Sequence, residues 1–185
     1  MEQSAEGSIT SLTTSGERAF AGGTWLLPSA PSVQQAVAEW RNAGAAWLRP
    51  GVLFGAVVIR EDLVHAALAL DDPELCAAPL AEGLENGPVF YSREGFGNQG
   101  SYTALVPASV ALTWRVGGSM GHHYRALLLV PAPDVVKPPD DGGPWWVVPM
   151  DGPGLLCPPD RLAALVRMGR AAVQPAEGEA GDADA

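Results

Sequence analysis

Few residues in this chain have the types and spacing to do chemistry, and the adjacent pair His122-His123 comes first. Imidazoles ligate metals and exchange protons near neutral pH. Neighbours in a strand point to opposite faces, so the pair cannot readily hold one ion together. As ligand-binding candidates they stand with Arg125, just beyond them, and with Trp145 and Trp146. His65 lies among Leu63, Val64, Ala66 and Ala67, and is expected at a helix surface or boundary rather than in catalysis. Carboxylates pair at Asp71-Asp72 and Asp140-Asp141. Asp72 before Pro73 is better placed to cap a helix, and Asp140-Asp141-Gly142 to make a turn.

Ser92, Ser101 and Ser119 sit near glycines, but none lies in the G-x-S-x-G elbow of a nucleophilic serine. Gly95-Phe96-Gly97-Asn98-Gln99-Gly100 fits G-x-G-x-x-G but leads into a strand. The helix N-terminus that would hold a pyrophosphate is missing, and a hairpin loop is expected. Cys157, between Leu156 and Pro158, has no neighbouring cation to lower its pKa. Cys76 and Cys157 belong to no C-x-x-C pair, which argues against a disulfide framework or structural zinc. No metal and no cofactor are expected.

The elements that must position these residues follow from pattern. Tyr102–Pro107, Tyr124–Pro131 and Trp145–Pro149 are apolar runs ending in Val-Pro. Such runs bounded by Gly and Pro predict strands, with Pro at a strand end or edge. They are expected as neighbours in one sheet, the most apolar, Tyr124–Val130, being central. Trp145-Trp146 must put one ring on each face, and the outward ring is either covered or part of an exposed aromatic patch. Val52–Ile59 reads as a strand buried on both faces, and Val89–Ser92 as another.

Ser32–Ala43 predicts an amphipathic helix, with Ser32 and Gln35 as a capping box and Gly44 as the C-terminal stop. Helical spacing returns at Glu61–Leu70, after Asp72-Pro73 as far as Gly83, and at Arg161–Arg170. Ser109–Val116 is ambiguous between helix and strand, and Gly117–Gly121 reads as a flexible loop. The sum is an α+β domain over residues 24–172, with helices packed on a mixed or antiparallel sheet of about five strands. Residues 1–23 and 173–185 are expected to be disordered tails.

The 185 residues suit one domain, and 22 Gly with 17 Pro predict many turns. Of the 21 acidic residues, Glu2, Glu6, Glu17, Glu177, Glu179, Asp182 and Asp184 lie in the tails, leaving 14 against 11 basic ones. The net charge of −10 is thus largely a tail property, and no Lys/Arg cluster offers a broad nucleic-acid footprint. Nowhere do about 18 apolar residues run together, and no apolar leader opens the chain. A cytoplasmic protein without a membrane segment is the expectation.

Trp40 ahead of Gly51–Ile59, then Gly87-Pro88-Val89, Gly100–Pro107, Leu127–Pro133 and Trp146…Pro149…Leu156–Asp160 form an ordered series. In this order the chain resembles small actinobacterial proteins related to the bifunctional DNA primase/polymerase (prim-pol) N-terminal domain, over roughly residues 40–166. The resemblance implies a nucleotide-handling fold. In active members it implies metal-dependent nucleotidyl transfer, with carboxylates alternating at the end of the first long strand. Here that stretch is Ala56-Val57-Val58-Ile59-Arg60, with no carboxylate before Glu61 and Asp62. The family's Ser-x-His would fall at Ser101-Tyr102-Thr103, where Thr103 stands in place of histidine.

The resemblance therefore implies a catalytically dead relative. The expected function is a non-catalytic binding or regulatory module with a nucleotide or a protein as partner. One alternative is an enzyme, either with a relocated carboxylate set (Glu61, Asp62, Asp71, Asp72) or using His122 or His123. The other is a homo-oligomeric protein joined through the Trp145-Trp146 strand.

Overall fold

The computed structural model describes residues 14–96, 99–124 and 126–173. Its first helix, α1 (Ser15–Leu26), begins inside the stretch expected to be disordered. Thr14-x-x-Glu17 explains why: Thr14 Oγ1 accepts from the Glu17 N–H at 3.2 Å, and Glu17 Oε2 accepts from the Thr14 N–H at 2.7 Å. That backbone hydrogen bond also holds the Glu17 carboxyl below its usual pKa. Gly22, Gly23 and Leu26 are buried on α1, so the domain boundary expected at residue 24 is corrected to start at this cap. Residues 1–13 and 174–185, the rest of the expected tails, lie outside the described residues.

The helix predicted from Ser32 forms as α2 (Val33–Ala43), with Ser32 Oγ accepting from the Gln35 N–H and Gly44 left-handed at φ 65°. The reciprocal half of the capping box is absent, because Gln35 Nε2 donates instead to Glu39 Oε1 at 2.7 Å. Strand β1 (Ala45–Leu48) follows, then β2 (Gly55–Arg60). The second strand starts later than its apolar run suggested, since Val52 is exposed in the turn after Gly51. Helices α3 (Glu61–Leu68) and α4 (Ala77–Gly83) lead to the hairpin β3 (Val89–Phe96) and β4 (Gln99–Val106). Then come α5 (Ala108–Thr113), β5 (Ser119–His122), β6 (Leu128–Pro131), β7 (Trp145–Val148) and α6 (Pro159–Val173). The ambiguous segment is thus helical, and part of the expected loop is strand.

The main sheet has the order β5-β2-β4-β3-β7, and its neighbouring strands all pair antiparallel. The protein is a single α+β domain. The Val-Pro runs do not lie side by side: β6 leaves the main sheet and pairs antiparallel with β1, Ala45 opposite Pro131. The central strand is β4, not β6. Alternation divides the main sheet into two faces. Val57, Ile59, Tyr102, Ala104 and Tyr91 face a core closed by α3, α4 and α6. Ala56, Leu105, Phe90 and Trp146 face a second core with α1, α2 and the β1–β6 ribbon. Helices α3 and α6 pack closely, for a Cβ on Gly169 would collide with the Leu63 carbonyl. No helix among the described residues is long and apolar enough to cross a membrane.

Candidate functional site

Strand alternation sets Val58 of β2, Ser101 and Thr103 of β4, Phe90 and Ser92 of β3 and Met120 of β5 along one side of the sheet. Above them stands the β1–β6 ribbon, and between the two lies a cleft of about 830 Å³. Trp47 and Leu127–Leu129 line its ribbon wall, while Glu39, Glu94 and Asp141 line it with carboxylates. Trp47 and Met120 remain about half exposed, at 48% and 51%, so the mouth carries apolar surface.

The floor is polar where a central strand is ordinarily apolar. Ser101 and Thr103 are 2% and 3% exposed, yet neither side chain makes a hydrogen bond within the described residues. Neither hydroxyl is among the fully buried side-chain polar atoms without a partner, which among the described residues are Ser29 Oγ and His123 Nδ1, so both hydroxyls keep an opening to the cleft. Both hydroxyl-bearing side chains line the cleft, so their free capacity is directed at whatever occupies it. Ser92 is different, since its Oγ donates to Glu94 O at 3.3 Å. Ser119 is also engaged, accepting from Trp114 Nε1 at 2.8 Å and donating to Val116 O at 2.9 Å.

Of the residues singled out for binding, His122 lies on the cleft wall, and its Nε2–H donates to Leu127 O at 3.2 Å. His123 turns away into contact with Tyr124, its Nδ1 buried without a partner. The adjacent histidines are thus split. Arg125 lies outside the described residues. Trp145 and Trp146 are both buried, at 5% and 1%, one in each core. The tryptophan strand therefore presents no aromatic patch for a ligand or a second copy, because helices cover one face and the ribbon side covers the other.

The carboxylates do not converge either. Asp62 pairs with Arg60, and Glu61 accepts from the Tyr91 hydroxyl at 2.7 Å. Asp72 accepts from the Glu74 N–H at 2.8 Å in the turn before α4. Asp141 accepts from the Gly143 N–H at 3.0 Å, as a turn residue should. Among the described residues, no three of His, Cys, Asp and Glu gather closely enough to hold a metal ion.

A polar layer that pattern reading missed lies on the opposite face, between α3 and the sheet. Glu61 holds Tyr91, and one turn later His65 Nε2 lies 2.9 Å from the Tyr102 hydroxyl, with the two tyrosine rings 5.2 Å apart. Burial raises both phenols well above their usual range, reinforced by Glu61 at Tyr91 and by Cys76 at Tyr102. Burial likewise raises the Cys76 thiol. A phenol held neutral and fully buried is the opposite of an activated nucleophile, so this layer braces α3 on the sheet. Cys157 is equally inert, its thiol pushed by burial up to about 12.

Sequence reasoning also passed over the cleft floor. The signal was present in Ser92, Ser101 and Thr103, polar residues at period two in strands with apolar neighbours. The walls carry no local signal, because they come from chain segments far apart in sequence. No family model matches the chain, and no curated protein or solved structure is significantly similar to it.

Proposed function

We propose that this chain is a non-catalytic binding module whose ligand occupies the cleft between the main sheet and the β1–β6 ribbon. The observation that carries this reading is the pair of hydroxyls, Ser101 and Thr103, that open onto the cleft floor and make no hydrogen bond among the described residues. A volume of about 830 Å³ suits a small molecule or a short peptide segment. The prim-pol resemblance fits this role as that of a catalytically dead relative, since Ala56-Val57-Val58-Ile59-Arg60 carries no carboxylate and Thr103 stands in the place of the histidine. Glu61 and Asp62, the acids nearest to them, are engaged by Tyr91 and Arg60.

Primer extension tests the non-catalytic half of the reading. With the purified protein, a primed template, deoxynucleotides and Mg²⁺ or Mn²⁺, no incorporation above background is expected. Incorporation that disappears in Glu61→Ala or Asp62→Ala would overturn it and reinstate a relocated carboxylate site.

A further inference from the structure

The cleft's polar groups are arranged for one class of ligand. Its described lining includes the carboxylates of Glu39, Glu94 and Asp141 and no Lys or Arg, with His122 as the remaining titratable side chain. A phosphate or carboxylate ligand entering this lining would meet like charge, which is disfavoured in a partly desolvated groove. The hydrogen bonds of Glu39 and Asp141 come from neutral donors, among them the Trp47 N–H at 3.1 Å and the Gly143 N–H at 3.0 Å. The hydroxyls of Ser101 and Thr103 on the floor can accept from a ligand's N–H while donating their own protons elsewhere in the cleft. Phe90, Val58, Met120 and Trp47 supply an apolar body to the same space.

A ligand that offers N–H donors, needs no donors in return and carries an apolar part fits all of these at once. We infer that the cleft binds a small amphipathic organic cation, an amine or guanidine on an apolar body. The cationic group lies towards the hydroxyl floor and the carboxylates, and the apolar body lies against Phe90, Met120 and Trp47. Half-exposed Trp47 at the mouth places an aromatic ring within the cleft lining, a partner that suits a cation. The inference rests on the cleft being a binding site, as proposed above, and adds the charge of its occupant.

The test is calorimetric titration of the full chain with tryptamine, tryptophol and indole-3-acetate, which share one apolar body and carry an ammonium, a hydroxyl and a carboxylate. Tryptamine is expected to bind most tightly, roughly ten-fold over tryptophol, with affinity falling as salt rises. The double variant Ser101→Ala/Thr103→Val is expected to weaken tryptamine about ten-fold, and Glu94→Gln about three-fold. Tighter or equal binding of indole-3-acetate or tryptophol at the same floor overturns the cationic class while leaving the cleft a binding site. Failure of all three to bind also overturns the inference; the binding reading itself is then judged by the stability of the floor variants.

Discussion

Replacing Trp146 by alanine is expected to lower the unfolding free energy by about 3–5 kcal/mol, the range for truncating a buried aromatic. The side chain is 1% exposed, packs edge-on against Phe90 at 5.4 Å between ring centroids, and donates from Nε1 to Ala132 O at 3.1 Å. Truncation removes the ring and its hydrogen bond to the Ala132 carbonyl, which keeps the Val135 N–H at 3.0 Å, and opens a cavity beneath Phe90, which lines the cleft. The backbone N–H of Trp146 also ties β7 to the preceding β6–β7 connection through Val135 O at 2.8 Å, a bond that alanine keeps. The loss is therefore assigned to packing and the indole N–H. Urea denaturation should show a lower midpoint with an unchanged slope, and Trp146→Phe should recover much of it. Trp47→Ala is the contrast: at 48% exposure it should change stability far less.

The second large effect is alkaline. Cys157 is pushed from the usual 9.0 up to about 12, and Cys76, Tyr91 and Tyr102 are raised as well, in each case chiefly by burial. A raised acid holds its proton more tightly in the folded state than in the unfolded one. Its stabilisation is therefore complete below the unfolded pKa and is lost as pH climbs towards the folded value. For Cys157 that window is pH 9 to 12, and the loss approaches about 1 kcal/mol for each pH unit. The tyrosines steepen it from their usual 10.0 upwards. Unfolding midpoints measured across this window should fall steadily, and more gently in Cys157→Ala. A flat profile would contradict the burial of these groups.

How much of this was legible can be judged residue by residue. Helix α2 was readable from end to end, because Ser32 and Gly44 act within a turn of where they stand. Helix α1 was equally signalled by Thr14-x-x-Glu17, but the Ser- and Gly-rich composition around it outweighed a local cap. Strand existence was readable, whereas neighbourhood was not. Leu128–Pro131 pairs with Ala45–Leu48, a match between segments 80 or more residues apart in sequence. Apolarity proved a poor guide to the centre of the sheet. Strand β4 is central although it carries Ser101 and Thr103, because the cleft, not a covering helix, lies over those positions. The split of Trp145 and Trp146 onto opposite faces followed from the strand's period of two; their complete cover did not, since it comes from distant elements.

The cleft was the least legible feature, being built from α2, the ribbon, the sheet floor and the Asp141–Pro144 turn, none of which announces the others. Its claim to function rests on two hydroxyls that open onto the cleft and make no hydrogen bond among the described residues. Removing them breaks no hydrogen bond among the described residues, so the fold should tolerate their loss.

The most direct measurement is the thermal and urea stability of Ser101→Ala/Thr103→Val without ligand. If the hydroxyls are reserved for a ligand, the variant should be as stable as the native chain or more so, by up to about 1 kcal/mol per hydroxyl, since Val suits the strand and no internal bond is lost. A loss of about 1 kcal/mol or more per hydroxyl would mean that both are satisfied within the fold, and the cleft floor would then be structure rather than site.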